Sequence, residues 1–256
     1  MSKIADAFAN GKAFIGFLTA GDPNLETTKK IIKKMAQAGC DLVEIGIPFS
    51  DPIAEGPVIQ EANIRALKNN VTTDDVFAMV KEVKTEVDIP MVFMTYLNVL
   101  FKYGYDRFLK NASDAGICGV IIPDMPYEEK AELQNIAVHY GIEVVSLIAP
   151  TSEDRIKTIA ADAEGFIYEV SSLGVTGVRS EIKTDLESIT KSVKEVTDIP
   201  VAIGFGINTP EQAKKYAGIA DGVIVGSAIV KIIEKYGESA PDEVYNYVKS
   251  MKDAIR

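Results

Sequence analysis

AGCDLVEIGIP, residues 38–48, decides the fold, because the chain repeats it in altered form further along. AGICGVIIPD (115–124) and AGIADGVIVGS (217–227) follow the same plan: a helix end, an Ala-Gly step, then a short apolar run. VDIPMVFMTY (87–96) and TDIPVAIGFG (197–206) form a second matching pair. Similar units spaced by one or several strand–helix modules are what a fold built by repetition leaves in its sequence.

Outward from these anchors, short apolar runs alternate with segments of helical period. The runs are 13–19, 41–49, 90–96, 119–124, 143–150, 165–171, 200–206 and 221–227. Between them Leu25, Ile31, Ile32, Met35 and Ala36 share one helical face, as do Val76, Met79, Val80, Val83 and Val87, and then Leu186, Ile189, Val193 and Val196. Ile59, Ala62, Ala66 and Leu67 add a helix after the second strand. Thr73 before Asp74 and Asp75, Ser152 before Glu153, and Asn208-Thr209 before Pro210 read as helix starts. Strand–helix alternation implies a parallel sheet. An open doubly wound sheet fits the alternation too, but eight strands in 256 residues favour a closed (β/α)8 barrel occupying residues 1–256 as one domain.

Composition bounds the function. With 47% apolar residues the chain can bury a full core, and a formal charge of −10 without basic runs argues against a nucleic-acid surface. A small anionic substrate is compatible with that charge, because a local backbone site outweighs a distant net charge. Cys40 and Cys118 each follow an Ala-Gly step before an apolar run and read as buried, inert thiols. His139 falls in a helical segment away from the strand ends, so no Ser-His-Asp arrangement or His/Cys metal cluster can be assembled around it. Without an apolar run long enough to span a bilayer or a signal-peptide core, the expectation is a soluble, cytoplasmic protein that binds no membrane.

Glu44 interrupts the run at 41–49. Alternation puts Val43, Ile45 and Ile47 towards the helices and Leu42, Glu44 and Gly46 towards the barrel interior. Barrel active sites lie at the C-terminal ends of the strands, and a carboxyl group desolvated there titrates nearer neutrality, in the range of a general acid or base. The competing reading is a structural carboxylate paired with a Lys or Arg of a neighbouring strand. In the following loop Asp51-Pro52 fits a turn, whereas Glu55 either complements the dipole of the next helix or reaches over the barrel mouth. Tyr168 shares a face with Phe166 and Val170, and its hydroxyl either packs in the core or meets a substrate. Glu169 has the opposite parity, and the sequence names no partner for it.

GFG (204–206) ends the seventh strand, and GS (226–227) ends the eighth and opens a helix. Glycines admit an anion close to the backbone, and helix N-termini supply unpaired N–H groups, so these ends suggest a phosphate cradle, with Gly174 and Gly177 as a third edge. The alternative is that the glycines only make tight turns.

FLTAGDP (17–23), EIGIPFSDPIAEGP (44–57), MTYLN (94–98), IIPDMP (121–126), GVTG (174–177), GFGI (204–207) and GSAIVKII (226–233) run in order along the whole chain. Together they resemble the tryptophan synthase alpha subunit family. The resemblance implies a lyase that cleaves indole-3-glycerol phosphate to indole and glyceraldehyde 3-phosphate without metal or organic cofactor. It implies Glu44 as the acid/base catalyst, Glu55 as the carboxylate that holds the indole N–H, and Tyr168 beside Glu44. It implies Phe17, Met94 and Tyr96 around the indole, and Gly177, Phe205, Gly206, Gly226 and Ser227 on the phosphate. Thr176 would belong to the closing loop, with Asp51 bracing it. The implied partner is a beta subunit carrying pyridoxal phosphate, in an α2β2 heterotetramer through which indole passes by an internal tunnel. A standalone lyase, and a weak barrel that mainly activates the beta subunit, are the alternatives.

Two positions depart from the family pattern. Its loop acid is usually Asp, and here it is Glu55. The extra methylene moves the carboxylate by on the order of 1 Å, a displacement that costs about 10²-fold unless the loop compensates. Gly16 stands where the family commonly has Pro, which is expected to loosen the end of the first strand.

Overall fold

A computed structural model describes residues 3–170, 185–204 and 206–256. Its eight strands are β1 (Ala13–Thr19), β2 (Leu42–Gly46), β3 (Met91–Met94), β4 (Gly119–Ile121), β5 (Glu143–Ile148), β6 (Ile167–Val170), β7 (Val201–Gly204) and β8 (Gly222–Val225). They pair in chain order, all parallel, and β8 closes on β1. The helices are α1 (Leu25–Ala38), α2 (Pro57–Lys68), α3 (Thr73–Val83), α4 (Leu97–Tyr103), α5 (Tyr105–Ala115), α6 (Lys130–Ala137), α7 (Glu153–Ala161), α8 (Leu186–Lys194), α9 (Pro210–Ala217), α10 (Ser227–Tyr236) and α11 (Ala240–Ala254). The molecule is a (β/α)8 barrel with α2 as the extra helix after the second strand. Among the described residues no helix is long and apolar enough to cross a membrane.

Strand parity sorts the core into two layers. Val43, Ile45 and Ile47 pack with the helices, and Leu42 joins Ile15, Val92, Val145 and Phe166 inside the barrel. Ile4 plugs the N-terminal end: a Cβ on Gly119 or Gly165 would come within 2.8 or 2.9 Å of its Cδ1. In the repeated Ala-Gly steps, Gly39 and Gly116 end α1 and α5 with φ of +94° and +93°, the left-handed turn that glycine adopts most readily. Gly218 ends α9 at φ −70°, so the third repeat keeps the letters without that conformation.

Helix starts differ in detail from the expectation. Thr72, not Thr73, caps α3 in a reciprocal box with Asp75. Thr209 caps α9 in a second box with Gln212, while Ser152 precedes α7 without a side-chain cap. Val196 lies beyond the end of α8 and is exposed. Two helices follow β3 because Gly104, at φ +92° and ψ +121°, breaks the α4–α5 segment. The first strand is not loosened at Gly16, which stays in register with Val43 and Val225. The methyl of Met35 fills the side-chain space there, 2.3 Å from where a Cβ would stand.

Candidate active site

Glu44 sits in the middle of β2, in register with Phe17 and Val92. Its side chain is fully buried, and neither carboxylate oxygen has a hydrogen-bond partner among the described residues. Burial pushes its pKa from the ordinary 4.5 to about 8. The structural reading required a paired cation, and the described residues supply none. A buried polar group left unpaired is costly, so a site that maintains one points to use by a ligand.

The carboxyl lines a cavity at the C-terminal ends of the strands. Phe17, Met94, Leu147, Tyr168 and Ile224 wall it, and Ala54, Glu55 and Ile59 approach from the segment after β2. Gly206, Gly226 and Ser227 close the opposite edge. Among the described residues no Lys or Arg lines it.

Glycines on the strands make room for the aromatic rings. A Cβ on Gly204 would fall 2.5 Å from Cε1 and Oη of Tyr168, so the ring crosses β7 only because that position is bare. A Cβ on Gly46 would meet the Phe17 ring at 2.8 Å, and one on Gly226 at 3.3 Å. Burial, and then the nearby Glu44 charge, hold the Tyr168 phenol well above its usual range, which keeps it neutral. Gly206 adopts φ +87°, and Gly226 precedes the first turn of α10, whose N–H groups carry no side-chain cap.

Glu55 is 8% exposed and faces the cavity. It precedes Gly56, the N-cap of α2, and lies outside the first helical turn, so cavity contact describes it better than dipole compensation. Its Oε2 accepts a 2.6 Å hydrogen bond from Asn63 Nδ2, and the nearby Tyr96 hydroxyl also favours the ionised carboxyl. Burial raises its pKa to about 7 against the lowering effect of Asn63 and Tyr96. Tyr96 stands behind the loop instead of lining the cavity: its hydroxyl accepts the Ala54 N–H at 3.1 Å, and its ring lies 5.2 Å from that of Phe49. Asp51 is exposed and bonds the Ser50 hydroxyl. Thr176, Gly177 and Phe205, expected at the site, lie outside the described residues, as does Gly174.

The sequence reading missed Asn63, Pro123, Leu147, Ile207 and Ile224. Asn63 had a signal, since it shares the apolar face of Ile59, Ala62 and Ala66; the others look like ordinary core. Outside the cavity, Glu169 finds the partner the sequence could not name: Thr190 on α8 donates to its Oε2 at 2.7 Å.

Comparisons with known proteins show what the chain as a whole is similar to. The sequence model of the family described as "Tryptophan synthase alpha chain" matches residues 4–256. A tryptophan synthase alpha chain from Lacticaseibacillus casei is 51% identical over 255 residues, covering 100% of this chain and 96% of that one. The crystal structure of the tryptophan synthase alpha chain from Legionella pneumophila superposes with a TM-score of 0.89 at 35% identity, covering 100% of this chain and 97% of that one. A chain of the tryptophan synthase complex from Pyrococcus furiosus superposes with a TM-score of 0.87 at 35% identity, covering 95% and 99%.

Proposed function

This chain belongs to the tryptophan synthase alpha chain family, and from that premise we propose that it cleaves indole-3-glycerol phosphate to indole and glyceraldehyde 3-phosphate. The observation that carries the reading is Glu44: a carboxyl buried without a partner among the described residues, facing a cavity flanked by bare strand ends.

The chemistry is a retro-aldol cleavage. The protonated Glu44 gives its proton to the ring carbon that bears the glycerol chain, and positive charge develops towards the indole nitrogen. The resulting carboxylate takes the proton from the adjacent glycerol hydroxyl. The carbon–carbon bond then breaks, its electron pair returns to the ring, and the former alcohol carbon leaves as the aldehyde. One proton is given and one taken, so Glu44 ends as it began. The ionised Glu55 opposes the charge on the ring N–H, an interaction that strengthens in the transition state. Neutral Tyr168 supplies a hydroxyl beside Glu44. Phe17 and Met94 offer apolar surface to the indole, and the N–H groups around Gly206, Gly226 and Ser227 offer the phosphate a site at the start of α10. Thr176, Gly177 and Phe205 retain the loop and phosphate roles that the family resemblance assigns them, with Asp51 bracing the loop.

The partner proposed is a tryptophan synthase beta subunit, carrying pyridoxal phosphate, in an α2β2 heterotetramer. Two exposed apolar side chains favour docking on the active-site face: Ile53, 72% exposed after β2, and Phe101, 73% exposed on α4. The Ala54–Tyr96 hydrogen bond ties their two segments together. The test is indole release from indole-3-glycerol phosphate by the purified chain, with and without a beta subunit. Slow release that rises severalfold or more with the partner is expected. Fast release that the partner leaves unchanged would favour a standalone lyase, and no release in either condition would contradict the reaction.

A further inference from the structure

Glu55 reaches the cavity edge on a long, flexible side chain, and the structure contains a group that holds it in place. Asn63 lies two turns along α2 and faces inward, 4% exposed. Its amide nitrogen donates to Glu55 Oε2 at 2.6 Å, a charge-assisted hydrogen bond when the carboxyl is ionised. The backbone between them is fixed as well. Gln60 Nε2 donates to the Glu55 carbonyl at 2.8 Å, and the N–H groups of Ile59 and Gln60 bond the Gly56 carbonyl at 3.1 Å each. From the other side, the Tyr96 hydroxyl accepts the Ala54 N–H at 3.1 Å and lies near the carboxyl. Glu55 is therefore seated between a helix face and a strand end, at the edge of the cavity that holds Glu44.

We propose that Asn63 is a positioning residue: it draws the Glu55 side chain against α2 and holds its carboxyl ionised at the edge of the cavity. The proposal rests on Glu55 opposing charge on the ring nitrogen.

Among the described residues, few groups bear on Glu55 electrostatically. Tyr96 lies near it, Glu44 and Tyr168 share its cavity, and Asp124 lies near Tyr96 with its carboxylate accepting the Leu97 N–H at 2.9 Å. Arg65, on the same helix, is tied to Asp22 by two 2.8 Å hydrogen bonds. With no cation lining the cavity among the described residues, the neutral amide of Asn63 is the donor on α2 that favours the ionised form. Its removal moves the Glu55 titration upward, because the stabilised species is the carboxylate.

Two measurements test this. The first follows the carboxyl carbon of Glu55 by 13C NMR against pH in the full chain, with the signal assigned by its loss in Glu55→Gln. In Asn63→Ala and Asn63→Leu the midpoint should rise from the wild-type value; an unmoved or lowered midpoint overturns the proposal. The second measures kcat and KM for indole release with the beta partner present, for wild type, Asn63→Ala, Glu55→Asp and the double variant. Asn63→Ala should lower kcat about tenfold to a hundredfold with little change in KM, the range expected for a hydrogen bond to a charged group. On the Glu55→Asp background the same change should cost less than threefold, because the shorter acid does not reach the amide. Equal losses in the two backgrounds would mark Asn63 as structural only and overturn the proposal. Should the wild-type chain release no indole even with the partner, the proposed reaction fails, and the NMR titration alone decides whether Asn63 holds Glu55.

Discussion

Two carboxyl groups face one cavity, and their surroundings set them different tasks. Glu44, with no hydrogen-bond partner among the described residues, titrates at about 8 and is protonated at neutral pH, ready to give a proton. Glu55, held by Asn63 with Tyr96 nearby, titrates at about 7 and ionises first. A reaction needing Glu44 protonated and Glu55 ionised should give a bell-shaped kcat/KM profile with limbs near those two values, measured with the partner present. Glu55→Gln should flatten the acid limb while leaving the alkaline one. Burial of Glu44 also has a price in stability. Its pKa is about 8 in the folded chain against an ordinary 4.5, so between those values the native state binds more protons than the unfolded one. The stability present below pH 4.5 is therefore lost progressively as pH rises through about 8. Glu44→Gln keeps the shape and removes the titration, so its melting temperature should exceed wild type at pH 8, with the difference shrinking towards pH 4.5. An equal difference at both pH values would count against a buried, protonated Glu44.

Among elements, strand ends carry both the closure of the barrel and the room for the site. Three acids bond the first N–H of a neighbouring strand or the residue beside it: Asp41 to Phe14 at 2.7 Å, Asp221 to Val201 at 2.9 Å, and Glu164 to Val144 at 3.1 Å. Asp41 and Asp221 are the acids of the first and third repeated units, so this register device can be read in the sequence. The clearance made by Gly204 cannot. GFG reads equally as a phosphate turn or a tight bend, and only the tertiary structure shows the Tyr168 ring lying over the first glycine. Gly204→Ala should push that ring aside by on the order of 1 Å and lower kcat about 10²-fold. Turnover close to wild type in Gly204→Ala would show that the placement of Tyr168 is not critical. Pairings across the fold, such as Thr190 with Glu169, were hidden for a related reason. They join separate segments, and a single sequence carries periodicity along a chain but no distance across it.

The whole molecule is legible to the extent that alternation determines it. Parity placed Glu44, Tyr168 and Phe166 inside and Val43 and Ile45 outside, and eight alternating units implied closure. β8 pairs with β1 to close the barrel, and a contact far apart in sequence braces it. Lys252 of α11 is nearly buried and donates to the Lys12 carbonyl at 2.8 Å and to Asp41 Oδ2 at 2.7 Å, joining the C-terminal helix to the starts of the first two strands. Lys252→Ala should destabilise the chain by roughly 3 kcal/mol, since Asp41 is left partly buried without its cation. Chemical denaturation measures this, and a loss under about 0.5 kcal/mol, the range of an ordinary surface substitution, would show that α11 does not secure the barrel.

The proposed chemistry turns on the Glu44 carboxyl. The most direct measurement is single-turnover indole release from saturating indole-3-glycerol phosphate by wild type and Glu44→Gln, each with the beta partner, alongside substrate binding by calorimetry. Binding within a fewfold of wild type with release reduced to background is the predicted result. Release by Glu44→Gln at the wild-type rate would contradict the assignment of Glu44 as the group that moves the protons.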